Sequence, residues 1–273
     1  MKSKVKTNPK VKKQKTVQKQ QKCNKKNYKP KKKNIKLRRT VAVLILIVII
    51  LATLVLILLS DLFNIKKITV KNNSKISENE IIEKSQLAIG QNMFKTFSKA
   101  IKEGIKTNPY IDDVKVKKKL NGEIEIEVKE RVATYMLQCE TGYAYINNQG
   151  YILEFTEVLA ELPIIKGYKT QDITLGNRLI TEDLEQLDTV IQIIEAAKSN
   201  NISDKIYAID ISKPNDFVLE IPSEEKTVQF GDKTNINVKI LWIQDLLNET
   251  KGTPGEIVLN VPNIKKVYFR ERV

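Results

Sequence analysis

One uninterrupted apolar run constrains this chain more than any other feature. Residues 41–59 read VAVLILIVIILATLVLILL and contain no charged side chain. At a helical rise of about 1.5 Å per residue, a helix of this length approaches the roughly 30 Å hydrocarbon thickness of a bilayer. A core helix would keep a polar face, and a cleavable signal would end at a small-residue site, which Ser60-Asp61-Leu62 does not provide. The run therefore predicts a transmembrane anchor over residues 40–60.

The charges that flank this run predict its orientation. Residues 1–39 hold sixteen Lys and two Arg with no Asp or Glu, within a 273-residue chain of formal net charge +15. Since this tail alone carries +18, residues 40–273 carry −3. Positive residues concentrate on the cytoplasmic side of a span. We therefore expect a single-pass cell membrane protein of type II, with its N-terminus in the cytoplasm and the chain after Ser60 outside.

The basic tail, residues 1–39, is rich in Lys, Gln and Asn and holds few apolar residues, so we expect it to be disordered. Nucleic-acid binding is the first interpretation of a strongly basic chain, and it stays open for the tail as the less favoured alternative. Because the tail adjoins the span, attraction to anionic lipids of the inner leaflet is the simpler hypothesis.

The residue types present exclude several catalytic chemistries. The chain has no His, which excludes Ser-His-Asp and Cys-His catalysis and the usual zinc sites. Its cysteines, Cys23 and Cys139, would lie on opposite sides of the membrane and could not pair. A Ser-Lys dyad stays open because both residue types are abundant, but no recognisable motif frames one, and no glycine-rich phosphate loop is present. We predict no catalytic residues, no cofactor, no metal and no enzymatic activity.

A strand and two helices are predicted directly after the span. Ile68 and Val70 alternate with polar residues in a strand. A capping box then opens a helix over residues 78–88. Apolar residues three and four positions apart, Phe97 among them, predict a second helix over residues 93–105.

Two more strands follow, over residues 110–119 and 123–129, joined by the turn Leu120-Asn121-Gly122. The second strand alternates Glu with apolar residues over 123–128. Its carboxylates suggest an acid–base hypothesis, but such alternation is typical of the solvated face of a half-buried sheet, which is the interpretation we prefer. The order of elements is β-α-α-β-β.

Short matches in this unit and its flanks have a characteristic order and spacing. They are Phe63, Ile65, Ile68, Val70, Ile76-Ser77, Glu80-Ile81, Gly90-Gln91-Asn92-Met93-Phe94, Asn108-Pro109-Tyr110-Ile111, Val114-Lys115-Val116 and Val128-Lys129-Glu130-Arg131. By these residues the unit resembles a POTRA domain, and the whole chain resembles the FtsQ/DivIB family of bacterial cell-division proteins. The resemblance implies a POTRA domain over residues 61–131 and a β-domain over residues 132–273.

Patterns in the second half agree with a mixed domain, so the predicted fold class is α+β. The predicted elements are a hairpin over 143–153, strands over 206–211, 217–221 and 227–230, helices over 181–200 and 236–247, and final strands over 255–261 and 265–269. In the second of these helices we assign Leu241, Trp242 and Leu246 to the core.

The resemblance also implies a function. It predicts a non-enzymatic divisome scaffold at the division septum, binding membrane-anchored coiled-coil proteins of the FtsB/DivIC and FtsL type. Such a scaffold would help regulate septal peptidoglycan synthesis and so act indirectly on the septal peptidoglycan synthase. The family uses the C-terminal strands of its β-domain as the binding edge, where a partner segment can add a strand.

The counterparts of that edge in this chain are Val258, Asn260, Val261, Tyr268 and Phe269. Val258-Leu259-Asn260 stands where the family often has Asp-x-Arg, so salt bridges made there by relatives are absent. Tyr268 and Phe269 could instead close the core, and as neighbours in a strand they would face opposite sides.

Two other classes of function are alternatives. An envelope assembly or transport component would use its POTRA domain beside a large β-barrel, which the roughly 140 residues after Arg131 are too few to supply. A signalling receptor would need a folded cytoplasmic domain, and the tail lacks the apolar residues for one.

Overall fold

The computed structural model describes residues 35–261 and 267–272, so the predictions for residues 1–34 and for residues 262–266 lie outside the described part. Its first helix, α1 (Ile35–Leu58), contains the candidate span Arg38–Leu58, which is 21 residues long and not buried by other parts of the chain. Length and composition suit a membrane span. This one apolar helix among the described residues fits a single-pass membrane protein.

A three-stranded sheet with two helices follows the span. Its central strand β3 pairs with β1 in parallel and with β2 antiparallel. Alternate residues of β3, Ile124, Ile126 and Val128, are buried in one core with Ile81 and Ile101 of the two helices. The predicted β-α-α-β-β order is present, with the bounds β1 (Lys67–Lys71), α2 (Glu78–Ser85), α3 (Ser98–Ile105), β2 (Ile111–Lys119) and β3 (Glu123–Glu130).

A nine-stranded mixed sheet with two helices forms the rest of the chain, and the α+β prediction is confirmed. Its strand order is β12-β11-β10-β9-β8-β7-β4-β5-β6. Helix residues such as Val190 and Ile243 pack in one core with Leu219 and Val228 of the sheet. The bounds are β4 (Tyr135–Gln138), β5 (Tyr143–Ile146), β6 (Ile152–Thr156), β7 (Ile164–Lys166), α4 (Thr181–Ser199), β8 (Ala208–Asp210), β9 (Phe217–Ile221), β10 (Lys226–Gly231), α5 (Ile236–Glu249), β11 (Gly255–Val258) and β12 (Tyr268–Glu271).

Helix α2 is shorter than the predicted helix over 78–88. Ser77 caps it as expected, its side chain accepting the Glu80 backbone N–H. At the other end Gln86 adopts a left-handed conformation with φ 56°, which stops the helix three residues early. The Ser85 hydroxyl then accepts the Leu87 N–H, and Leu87 turns into the core.

The prediction of a single helix over residues 93–105 is wrong. A 3₁₀ turn, Met93–Lys95, is followed by a break and then by α3. The Lys118 ammonium donates to the carbonyl oxygens of Met93 and Thr96, so these groups are not free to continue a helix. Phe97, expected on the apolar face, is 75% exposed.

Two expectations for the second half are also corrected. The last strand β12 pairs Val258 with Tyr268 and Gly255 with Glu271, so it continues two residues beyond the predicted end at residue 269, while residues 265 and 266 of the prediction lie outside the described part. Leu241, assigned to the core, is 47% exposed, whereas Leu246 is buried and Trp242 packs partly against the core.

The two sheets meet at strand β6. Leu153 of β6 is buried in the core of the three-stranded sheet, although its strand belongs to the nine-stranded one. The next residue, Glu154, accepts hydrogen bonds from the Lys75 ammonium at 2.6 Å and from the Tyr110 hydroxyl at 2.7 Å. An apolar contact and a polar cluster thus join the two parts at the end of the small sheet where β3 finishes.

Candidate functional site

Strand β12 is the terminal strand of the nine-stranded sheet. It pairs antiparallel with β11, and no other strand among the described residues pairs with it. Strand β11 in turn runs parallel to β10. A terminal strand presents backbone N–H and C=O groups on its outer side, where an extended segment can bind.

The hydrogen-bond alternation determines which backbone groups of β12 face outward. The Arg272 N–H donates to the Pro254 carbonyl at 3.0 Å, so these two residues form a hydrogen-bonded pair. In an antiparallel ladder such pairs occur at every second residue, which makes Arg270 with Glu256 the next one. The backbone groups of Phe269 and Glu271 therefore point away from β11.

The side chain of Phe269 anchors β12 to the sheet. It is partly buried against the core of the nine-stranded sheet. Its ring lies over Gly255, where a Cβ atom would stand 2.6 Å from the ring carbon Cζ, so a side chain at this position would displace the ring. The Lys226 ammonium, in a buried residue, stands 5.8 Å from the ring centroid and donates to the carbonyl oxygens of Glu224 and Thr250.

The predicted site residues on β11 and β12 divide between core and surface. Val258 is buried, but the core of the nine-stranded sheet contains its neighbours Ile257 and Leu259, so Val258 lies on the opposite face of the sheet. Tyr268, paired with it in register, is 51% exposed. Adjacent strand residues face opposite sides, so Phe269 points towards the core and Tyr268 towards solvent.

Asn260 and Val261 lie just beyond β11, at one end of an open cleft of about 520 Å³. The Leu259 and Asn260 N–H groups both donate to the Gln229 carbonyl, which turns the chain away from β10. The cleft is lined by polar groups from three segments; they are Asn215, Asp216, Asp232, Thr234, Asn235, Lys239 and Asn260. The structure thus brings Asn260 and Val261 to a cleft and Tyr268 and Phe269 to the neighbouring strand.

Lys239 is a residue of this cleft that sequence reasoning missed. It is buried on α5, and its ammonium donates to the Asp232 carbonyl at 2.7 Å and to the Asp232 carboxylate at 2.9 Å. A hydrogen bond from the Thr234 hydroxyl and a smaller contribution from the Lys239 hydrogen bond lower the pKa of Asp232 to about 2. The only sequence signal was Gly231-Asp232, which predicts a turn and does not indicate an ion pair. The pair fixes the β10–α5 connection beside the site.

No group of His, Cys, Asp and Glu among the described residues could hold a metal ion. The acids of β3 lie on the face opposite the core as expected, and Glu123 and Glu127 are partly exposed, but Glu125 is covered by the ammonium groups of Lys71, Lys117 and Lys119. Hydrogen bonds from Lys71 and Lys119 lower the pKa of Glu125 to about 2, so it is ionised at neutral pH and its charge is compensated by these lysines.

Comparisons with known proteins agree with this architecture. The family described as "POTRA domain, FtsQ-type" matches residues 63–131. The chain is 30% identical over 200 residues to cell division protein DivIB of Clostridium botulinum strain Hall, covering 70% of this chain and 77% of that one. It is 36% identical over 155 residues to DivIB of Clostridium acetobutylicum, covering 55% and 60% of the two chains.

A solved structure is also similar. It is the major extracytoplasmic domain of the trans isomer of cell division protein DivIB from Geobacillus stearothermophilus, 12% identical to this chain. The match covers 44% of this chain and 92% of that one, with a TM-score of 0.29.

Proposed function

This chain belongs to the DivIB/FtsQ family of bacterial cell division proteins, and from that premise we propose that it is a non-enzymatic scaffold of the divisome. The scaffold binds membrane-anchored coiled-coil proteins of the FtsB/DivIC and FtsL type at the outer edge of β12. Binding there helps regulate septal peptidoglycan synthesis.

The exposed side of β12 is the observation that carries this proposal. The backbone groups of Phe269 and Glu271 point outward, so an incoming strand can continue the ladder. Tyr268 adds an exposed aromatic side chain beside that edge. Main-chain hydrogen bonds would supply affinity, and side chains such as Tyr268 would supply specificity.

The cleft beside the strand extends the same surface. Asn260, Val261 and the Asp232–Lys239 pair all line it. A partner that adds a strand along β12 would pass close to Asn260 and Val261, since they precede β12 in the chain and line the end of β11. Val258 pairs in register with Tyr268 and lies beside it on the same face of the sheet.

The domain organisation and location follow the same proposal. Residues 1–39 form a cytoplasmic tail attracted to anionic lipids, residues 40–60 span the membrane, and residues 61–131 and 132–273 form the POTRA domain and the β-domain outside. The contact at β6 supports a fixed arrangement of the two outer domains, in which the edge strand β12 is presented by a rigid base.

A proline at an outward-facing position gives the sharpest test of strand addition. In the detergent-solubilised full chain, Glu271→Pro removes an N–H that points away from β11 and leaves the β11–β12 bonds intact. We expect binding to FtsB/DivIC-type and FtsL-type proteins to be lost in Glu271→Pro and kept in Glu271→Ala, with unchanged melting for both. Removal of the residues after Asn260, which deletes β12, should also abolish binding. Equal binding by Glu271→Pro and wild type would refute the proposal.

A further inference from the structure

A group of large apolar side chains is exposed near the end of the span. Leu62 is 72% exposed, Ile89 64%, Phe97 75% and Leu120 72%, and Phe94 is also exposed. Single exposed apolar residues are ordinary, but a contiguous patch marks an interaction surface. These five residues are called the proximal patch below.

Hydrogen bonds hold the segments that carry the proximal patch together. The Ile65 N–H donates to the Gln91 carbonyl at 2.8 Å, and the Gly90 N–H donates to the Ile65 carbonyl at 2.8 Å. The Lys66 N–H donates to the Gly122 carbonyl at 2.7 Å, which fixes the turn after Leu120. The ring of Phe94 packs edge-on against Phe63, 5.2 Å between centroids. Three separate loops therefore form one surface.

The end of the span is bonded directly to this surface. The buried Asn92 amide donates to the Leu58 carbonyl at 3.1 Å and to the Ser60 carbonyl at 2.9 Å. Leu62 follows Leu58 by four residues, so it lies within about 14 Å of the last helical residue even in a fully extended chain. If α1 spans a bilayer, the start of the patch at Leu62 is close to the end of that span.

The charges around the patch complement an anionic surface. Lys66, Lys67 and Lys95 are exposed beside it. Residues 86–102 contain no Asp or Glu, and Asp61 is the one acid between residues 59 and 77. Lysines around an apolar patch favour binding to the interface of a membrane that contains anionic lipids.

We propose that the proximal patch docks on the outer surface of the bilayer, with Phe97, Phe94 and Leu120 inserted among anionic headgroups and Lys66, Lys67 and Lys95 paired with their phosphates. Docking at two places, the span and the patch, fixes the tilt of the small sheet. Strand β3 is eight residues long, about 26 Å at 3.3 Å per residue, and ends at the contact with β6. The docked sheet thereby sets the height of the larger domain above the membrane.

Fluorescence quenching by lipids with brominated acyl chains tests this docking in the full chain. Trp242 is the single tryptophan, so a Trp242→Phe background leaves only the introduced probe. The probe variant is Phe97→Trp, and the matched control is Val132→Trp, equally exposed at 75% but beyond the far end of β3. Both substitutions replace exposed side chains. Melting curves equal to that of the Trp242→Phe chain confirm that the two variants fold.

In phosphatidylglycerol vesicles we expect strong quenching of the tryptophan introduced at residue 97 and little quenching of the tryptophan introduced at residue 132. Replacing Lys66, Lys67 and Lys95 by Glu should reduce the quenching at 97, and so should vesicles of phosphatidylcholine alone. Equal quenching at 97 and 132 overturns the proposal. So does a probe at 97 that is unquenched in lipid but becomes shielded when a division protein is added, because that identifies a protein as the occupant. The quenching measurements in lipid alone contain no division protein, so their result is independent of strand addition at β12.

Discussion

The ring of Phe269 covers Gly255 so closely that a Cβ atom at residue 255 would stand 2.6 Å from the ring carbon Cζ and closer still to the Arg270 carbonyl oxygen. Glycine at 255 is therefore required by the approach of β12. The last strand stays on the sheet because one residue on β11 lacks a side chain. The proposed binding edge depends on this contact.

Substituting Gly255 by Ala should displace β12 from β11. The added methyl group has no space, since both a ring and a backbone carbonyl occupy its position. We expect loss of partner binding with most of the far-UV circular dichroism retained. Gly252→Asn is the matched control, because nothing lies within 4 Å of a Cβ there and Asn tolerates the positive φ of 75°. A Gly255→Ala chain that binds partners as wild type would show that β12 tolerates the displacement or is not the edge used.

Alanine at the two aromatic residues of β12 should separate stability from binding. Phe269 is partly buried against the core, so Phe269→Ala should lower the free energy of unfolding by about 1–2 kcal/mol. Tyr268 is 51% exposed, so Tyr268→Ala should change it by less than about 0.5 kcal/mol. Urea unfolding measures the change in the free energy of unfolding for both variants. If Tyr268→Ala also binds partners normally, Tyr268 is not a contact.

The buried carboxylate of Glu125 should make the small sheet sensitive to acid. Its pKa falls from 4.5 to about 2 through hydrogen bonds from Lys71 and Lys119. A lowered carboxyl pKa contributes stability above pH 4.5 that is lost as the pH falls towards 2. Unfolding at several pH values across this window should show a shallower acid dependence for Glu125→Gln. Glu103→Gln, in an exposed helical ion pair, should leave the slope unchanged.

The Lys75–Glu154 contact should couple the two sheets weakly. Hydrogen bonds from Lys75 and then from Tyr110 hold the pKa of Glu154 below its usual value. Both partners of the ion pair are nearly half exposed, so a double-mutant cycle of Lys75→Met and Glu154→Gln should give about 0.2–1 kcal/mol. The Lys169–Glu182 pair, which lies within the larger domain, is the control. A coupling of zero at Lys75–Glu154 would contradict this prediction and leave the Tyr110–Glu154 hydrogen bond and the burial of Leu153 to join the two sheets.

The position of Phe97 shows where sequence patterns stop being sufficient. Its spacing from Met93 and Ile101 suits a helical face, yet the chain breaks before α3 and leaves the ring in solvent. The cause is Lys118, which lies more than twenty residues away and takes the carbonyl oxygens of Met93 and Thr96. A periodic pattern contains no information about such a distant donor.

Sequence reasoning likewise predicted only part of the candidate site. Resemblance named Tyr268 and Phe269, and the sequence pattern predicted a last strand ending at residue 269, whereas β12 continues to Glu271. Neither gave any indication of the Asp232–Lys239 pair, because both residues read as ordinary surface charges. The burial of Lys239 depends on how α5 returns over the end of β10.

Local patterns determined the elements whose causes are local. The span follows from an unbroken apolar run, the β2–β3 hairpin from Asn121-Gly122, and α4 from its helical periodicity. Tertiary structure alone decided which charged side chain is buried, as at Glu125, and which apolar one is exposed, as at Phe97. It also decided that Gly255 must lack a side chain. These outcomes depend on contacts between residues far apart in the chain, whose free energies no short window of sequence contains.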